Sequence, residues 1–220
     1  MRPPRRVAAI FAVAALSTIL LAGCAGDDWS SPHAKPEAVG TLGHGFAPEV
    51  APTPEATINP APGSWDAVRP SPGYRVVLLT AGDDPAAKRV ASAVRDWASA
   101  EGVDLREVPA KGDPIDAIVG AIDLKPDLIV SAGNDLVDPL ATVTASHLGQ
   151  QFLVVGAEVA EPTGNVTAVD WSGASFRGEG NGASSTYDPA TFTAKRCASA
   201  IRAGVAAVLH DMTGIVLWID

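Results

Sequence analysis

The sequence predicts an α/β fold, a doubly wound and mostly parallel sheet forming one Rossmann-like lobe. Three observations carry this expectation. Asp-Pro occurs at Asp84-Pro85, Asp113-Pro114, Asp138-Pro139 and Asp188-Pro189, each pairing an N-cap acceptor with the proline favoured at the first helical position. Between these helix starts lie short runs that are apolar on both faces, such as Val76-Val77-Leu78-Leu79 and Leu153-Val154-Val155, the pattern of strands covered by helices on each side. Strand and helix signals alternate from Arg75 onward, as parallel strands joined by crossover helices require.

The chain begins with Arg2, Arg5 and Arg6, an apolar run from Val7, and Leu21-Ala22-Gly23-Cys24. A basic start, a short apolar core and small residues before a cysteine read as a secretory signal peptide over residues 1–23. The run is short of the roughly 20 residues a spanning helix needs. Arg5-Arg6 lacks the flanking residues of a twin-arginine signal, which favours the general secretory route. The tetrapeptide resembles the lipobox of bacterial lipoproteins. That resemblance implies cleavage before Cys24, a diacylglycerol on its thiol, often an acyl chain such as palmitate on the new amino terminus, and anchoring on the extracytoplasmic face of the cell membrane. Loss of the three arginines takes the formal charge from −9 to −12. So acidic a domain argues against nucleic acid and against electrostatic adhesion to anionic head groups. With Cys24 acylated, Cys197 has no partner within the chain and no internal disulfide is expected.

Residues 24–73 hold the lipidated cysteine and then nine of the 18 prolines, with no periodic apolar pattern. Proline removes donors and fixes φ, so a disordered tether is expected, reaching roughly 40 Å as a coil and well over 100 Å if stretched. His33 and His44 lie here without a third ligand, and neither a metal nor a cofactor is expected.

Residues 74–220 form the α/β domain, element by element. A strand from Arg75 to Thr80 precedes a helix after Asp84 whose Ala87, Val90, Ala91, Val94, Trp97 and Ala98 keep helical spacing up to Gly102. A strand from Asp104 to Val108 leads to a helix after Asp113 with Ile115, Ile118, Val119 and Ile122. A strand from Asp127 to Ser131 leads to a helix after Asp138 with Leu140, Val143 and His147, ended by Gly149. The strands from Phe152 to Ala157 and from Asn165 to Asp170 are joined through Glu158 to Gly164 with no helix. The last helix follows Asp188 with Cys197, Ile201, Val205, Val208 and Met212, closed by Gly214, before a strand from Ile215 to Ile219. Cys197 on this stripe reads as a small core hydrophobe.

This order resembles the first lobe of type I periplasmic solute-binding proteins, most closely the basic membrane protein family of nucleoside-binding lipoproteins. The matching passages are Val76 to Asp84, Lys125 to Gly133, Phe152 to Gly156 leading to Asn165 to Val169, and Ala200 to Leu209. The turn Ala81-Gly82-Asp83-Asp84-Pro85 departs from the family's Ser-Phe-Asn type sequence, and the chain carries one helix and one strand of what would be the second lobe. Either the last strand folds back onto the same sheet, or two copies supply each other's missing wall.

In open α/β sheets ligands bind beyond the carboxyl ends of the strands, where strand order reverses. Those ends place Thr80, Asp83, Asn134, Asp135, Glu158 and Asp170 along one rim, with Trp171 as a stacking surface. Carboxylates and amides suit sugar or ribose hydroxyls, because an unmatched buried polar group costs kilocalories. Plain structural roles compete: Asp84 as an N-cap, Asp135 capping its own turn, Trp171 covering a sheet edge. The chain has no Gly-x-Ser-x-Gly, His-Glu-x-x-His or phosphate-loop motif, so no enzyme is expected. Arg177-Gly178-Glu179-Gly180-Asn181-Gly182 reads as flexible loop. Two function classes follow: a lobe that binds a small polar metabolite for an importer of the ABC transporter type or a sensor, and an envelope protein-interaction module that has lost small-ligand binding.

Overall fold

The computed structural model describes residues 29–220; the expected signal peptide and Cys24 lie outside the described residues. In chain order the elements are β1 (Ala38–Val39), β2 (Thr57–Ile58), β3 (Arg69–Pro70), β4 (Arg75–Thr80), α1 (Pro85–Glu101), β5 (Asp104–Pro109), α2 (Pro114–Asp123), β6 (Leu128–Ala132), α3 (Val137–Thr144), β7 (Gln151–Val155), β8 (Val166–Asp170), α4 (Ala194–Leu209) and β9 (Val216–Trp218). Seven strands form one sheet in the order β2-β9-β8-β7-β6-β4-β5, and every neighbouring pair is parallel. The order reverses at β4, so the switch point lies between β4 and β6.

The both-face apolar pattern of the strands is realised directly. Val76 and Leu78 of β4 pack with residues of α1 and α4, while Val77 and Leu79 pack with residues of α2 and α3. All four are fully buried. Over β8 and β9 the second face is covered by loop residues Ala157, Val159 and Phe176, because the β7–β8 crossover carries no helix. Asp84 caps α1 by accepting from the Ala87 N–H at 2.9 Å, and Gly102 closes the helix in the left-handed conformation at φ 67°. Asp113 caps α2 in the same way through the Ile115 N–H.

Two helix starts differ from the sequence expectation. Asp138 lies inside the first turn of α3, which begins without a side-chain cap; its carboxylate instead accepts from the Glu179 N–H. Asp188-Pro189 starts only a single 3-10 turn, Pro189–Thr191. The α4 helix begins later, where the Thr193 hydroxyl accepts from the Arg196 N–H. Asp188 does cap its short turn by accepting from the Ala190 N–H, whereas at α3 the loop of Glu179 claims the carboxylate.

The expected tether needs the larger correction. From residue 29 to 73 the chain forms no helix, as its prolines dictate, yet it is built into the domain. Phe46, Ile58, Trp65 and Val68 are buried in the core on the α1–α4 face. β1 pairs antiparallel with β3, and β2 adds to the sheet beside β9. The composition gave no warning because each contact is a single aromatic or a two-residue ladder, too short for a periodic signal. β9 is thus flanked within one chain by β8 and β2, which is the fold-back alternative for the last strand.

Gly204 on α4 lets that helix sit close to the sheet: a Cβ there would stand 2.5 Å from Leu153 Cδ1 and 2.9 Å from Val169 Cγ2. Gly204→Ala is therefore expected to cost about 1–3 kcal/mol by overpacking, read from denaturant unfolding; unchanged stability would show that α4 stands further off. Cys197 is fully buried and its thiol is pushed up to about 11 by that burial. It should stay unreactive toward a thiol reagent until the protein unfolds, and rapid labelling of the native state would contradict this packing.

Candidate functional site

The predicted rim residues separate into two groups. Thr80, Asp83, Asn134 and Asp135 stand at the carboxyl ends of β4 and β6, at the switch point. Asp83 is exposed and paired with Lys88 Nζ at 2.8 Å, which holds its carboxyl below the usual range. Asp135 is exposed against Gly82, and Asn134 Oδ1 is buried with no partner. Over this end runs the loop of residues 171–188, whose Tyr187 hydroxyl reaches toward Asp84 Oδ2 at 3.4 Å.

Glu158, Asp170 and Trp171 form the second group, beyond β7 and β8. Trp171 is fully buried. Its ring packs edge-on against Phe192 at 4.8 Å and its Nε1–H donates to Thr191 Oγ1, so it offers no face to a ligand. Asp170 organises the turn that follows β8: its Oδ1 accepts from the N–H groups of Trp171 and Ser175, both at 2.8 Å. Its Oδ2 has no partner. Glu158 is buried and lies 3.0 Å from Arg177 Nε, off the hydrogen-bond line, while Arg177 donates from another nitrogen to the Ala160 carbonyl. The backbone bond from Glu158 N–H to the Phe176 carbonyl pins the two loops together.

Of the predicted rim residues, Glu158 lines a groove of about 480 Å³ whose lining includes Thr57, Asn59, Arg177, Ser184 and Trp218. The register explains the assembly. Thr57 pairs with Val216 and Asp170 with Trp218, so all four side chains project to the same face of the sheet, the face left without a crossover helix. A carboxylate–guanidinium pair, an amide and a half-buried indole thus converge in a volume suited to one small molecule, with the Asp170 carboxylate fully buried behind them. Sequence reasoning missed Thr57, Asn59, Arg177, Ser184 and Trp218. The alternation of Val216 and Trp218 along a terminal strand was the one usable signal, and the aromatic it pointed to was passed over for Trp171.

A second cavity, about 680 Å³, lies between α1 and α4 and is lined mainly by apolar atoms, with Ala93, Trp97, Ala100, Phe192, Arg89 and Arg202 among its residues.

Burial pushes the Asp170 carboxyl up to about 7; Glu158 adds to the rise, and the two backbone N–H groups and Arg177 oppose it. Burial likewise raises Glu158 against the pull of Arg177. The folded protein therefore holds a proton that the unfolded chain, with an ordinary carboxyl near 3.9, has released. The contribution of Asp170 to stability should be fully present below about pH 4, be lost as pH rises through about 7, and level off above that. Thermal unfolding across this range should show the slope, and Asp170→Asn should flatten most of it; an undiminished slope in the variant would place the titration elsewhere.

No protein-family model and no curated protein matches the chain. Among solved structures, it is similar to an ABC transporter solute-binding protein of Aeropyrum pernix K1 (20% identity, TM-score 0.38), covering 45% of this chain and 29% of that one. It is similar to a lipoprotein fragment from Peptoclostridium difficile 630 (16% identity, TM-score 0.43), covering 63% of this chain and 99% of the fragment. A third is a periplasmic ribose ABC transporter protein of Conexibacter woesei DSM 14684 (19% identity, TM-score 0.33), covering 68% of this chain and 54% of that one. The chain thus spans less than a third of the Aeropyrum protein.

Proposed function

We propose that this protein is a lipid-anchored extracytoplasmic lipoprotein whose lobe holds a small polar metabolite, a sugar or a nucleoside, for uptake or sensing, in the groove beside Trp218. The observation that carries the reading is the Trp218 ring lining one groove with Asn59, Glu158 and Arg177, whose Nε faces Glu158 without a hydrogen bond among the described residues. An apolar ring face together with such groups suits a hydroxylated ring, which stacks on the indole and supplies donors to the carboxylate. The sequence resemblance to nucleoside-binding lipoproteins of the basic membrane protein family, and the lipobox at Cys24, support the same reading. The groove is open on one side, so the affinity is weak. The partner in uptake is a membrane importer that accepts the loaded lobe.

A specific observation favours the second reading, an envelope protein-interaction module: the cavity between α1 and α4 is larger and mainly apolar. The two readings use different tryptophans, Trp218 and Trp97.

A thermal-shift panel of sugars and nucleosides on the chain from Trp29 onward separates them. A ligand at 100 times its Kd adds about 2.7 kcal/mol, or roughly 5–10 °C for a domain of this size. Trp218→Ala should abolish that shift and Trp97→Ala should preserve it. A shift that survives Trp218→Ala, or a panel without any shift, overturns the small-ligand reading.

A further inference from the structure

We infer that the amino-terminal end of the sheet rests against the bilayer that holds the lipid, so that the protein is a head seated on its membrane and not one ranging above it. The inference rests on the proposal that Cys24 is the lipidated residue, and it follows from how soon after Cys24 the chain is fastened to the domain.

Trp29 is buried on the start of β5. Its indole N–H donates to Asp104 Oδ2 at 2.6 Å, and the guanidinium groups of Arg106 and Arg75 lie 4.2 and 5.8 Å from its ring. Arg75 also donates to the carbonyls of Trp29 and Ser31. Four residues further on, His33 Nε2 lies 2.8 and 2.9 Å from the two oxygens of Asp127. Every one of these partners belongs to the end of the sheet where the strands begin. Cys24 precedes Trp29 by five residues, and five residues fully extended span at most about 18 Å. The reach of about 50 residues of tether is therefore replaced by a leash shorter than the domain is wide.

The surface at that end fits a bilayer interface. Leu148, in the loop before β7, and Val39, in β1, are among the exposed large hydrophobic residues, at 62% and 51%. Their chain neighbours Gly149 and Ala38 line one cleft at this end together with Lys35, Glu37, Asp127 and Asp211. The charges facing the membrane are thus mixed: exposed Lys35 and Lys125 against exposed Glu37, Asp123 and Asp211, with His33 already paired to Asp127. Neither strong attraction nor strong repulsion arises from such a surface, and the leash sets the contact. The carboxyl ends of the strands, with the loop of residues 171–188 and Ser184 at the Trp218 groove, lie at the opposite end of the sheet, so the groove opens away from the lipid.

The test uses the full-length lipidated protein in vesicles carrying an acceptor dye on the lipid head groups. Leu148→Cys and Ser184→Cys are each labelled with a donor dye. Energy transfer should be several-fold higher from position 148 than from position 184. Inserting twenty Gly/Ser residues between Gly26 and Asp27 should erase the difference while leaving thermal unfolding unchanged. Equal transfer from both positions in the uninserted chain would overturn the seated head even though the protein is anchored. Failure of the protein to float with vesicles at all would instead overturn the lipidation of Cys24, and the seating with it.

Discussion

Ten residues, 156–165, carry the chain from the carboxyl end of β7 to the start of β8 without a helix. A parallel sheet must be covered on both faces, and the other crossovers of the core strands do this with α1 to α4. Here an extended crossover lays only Ala157 and Val159 on the sheet, with Phe176 brought back from a later loop. The polar residues of the same two loops, Glu158 and Arg177, therefore stand directly beside the strand face, and Asp170 and Trp218 project toward them. The groove exists because this covering is thin.

The same region sets a second requirement. β9 at the side of the sheet would present an apolar open edge, and the short strand β2 from the amino-terminal segment occupies it. That segment does three things at once. It closes the edge with Thr57–Ile58, it supplies Thr57 and Asn59 to the groove, and it is fastened at its beginning by Trp29 and His33 to the strand starts. The mutual packing of Phe46 and Trp65, at 6.4 Å and nearly perpendicular, holds its middle against the domain. Sheet edge, groove wall and the fastening at Trp29 and His33 are thus one continuous piece of chain.

The central architecture was legible because its signals are long and repeated. Six strands and four helices follow from doubled apolar faces and Asp-Pro starts, and Asp84 and Asp113 cap as those pairs imply. Asp138 and Asp188 carry the same dipeptide without starting the main helix, since a neighbouring loop claims the first carboxylate and a 3-10 turn consumes the second. The amino-terminal segment was illegible for a different reason. Its buried residues are isolated aromatics among prolines, and no local period distinguishes a strap from a tether. At the rim, residue type pointed to Glu158, which lines the groove, and to Asp170 and Trp171, which are fully buried, because burial cannot be read from type; Trp218 stayed at the groove.

The five tryptophans mark the relevant regions separately: Trp218 the groove, Trp97 the cavity between α1 and α4, Trp29 the strand-start end, with Trp65 and Trp171 in the core. Each indole N–H gives its own signal in a nitrogen-correlated NMR spectrum. During titration with the sugar or nucleoside that gives the largest thermal shift, the Trp218 signal should move to saturation while those of Trp97 and Trp29 hold still. Movement of the Trp97 signal with Trp218 unchanged would contradict the account, because binding would then take place away from the face that the helix-free crossover leaves open.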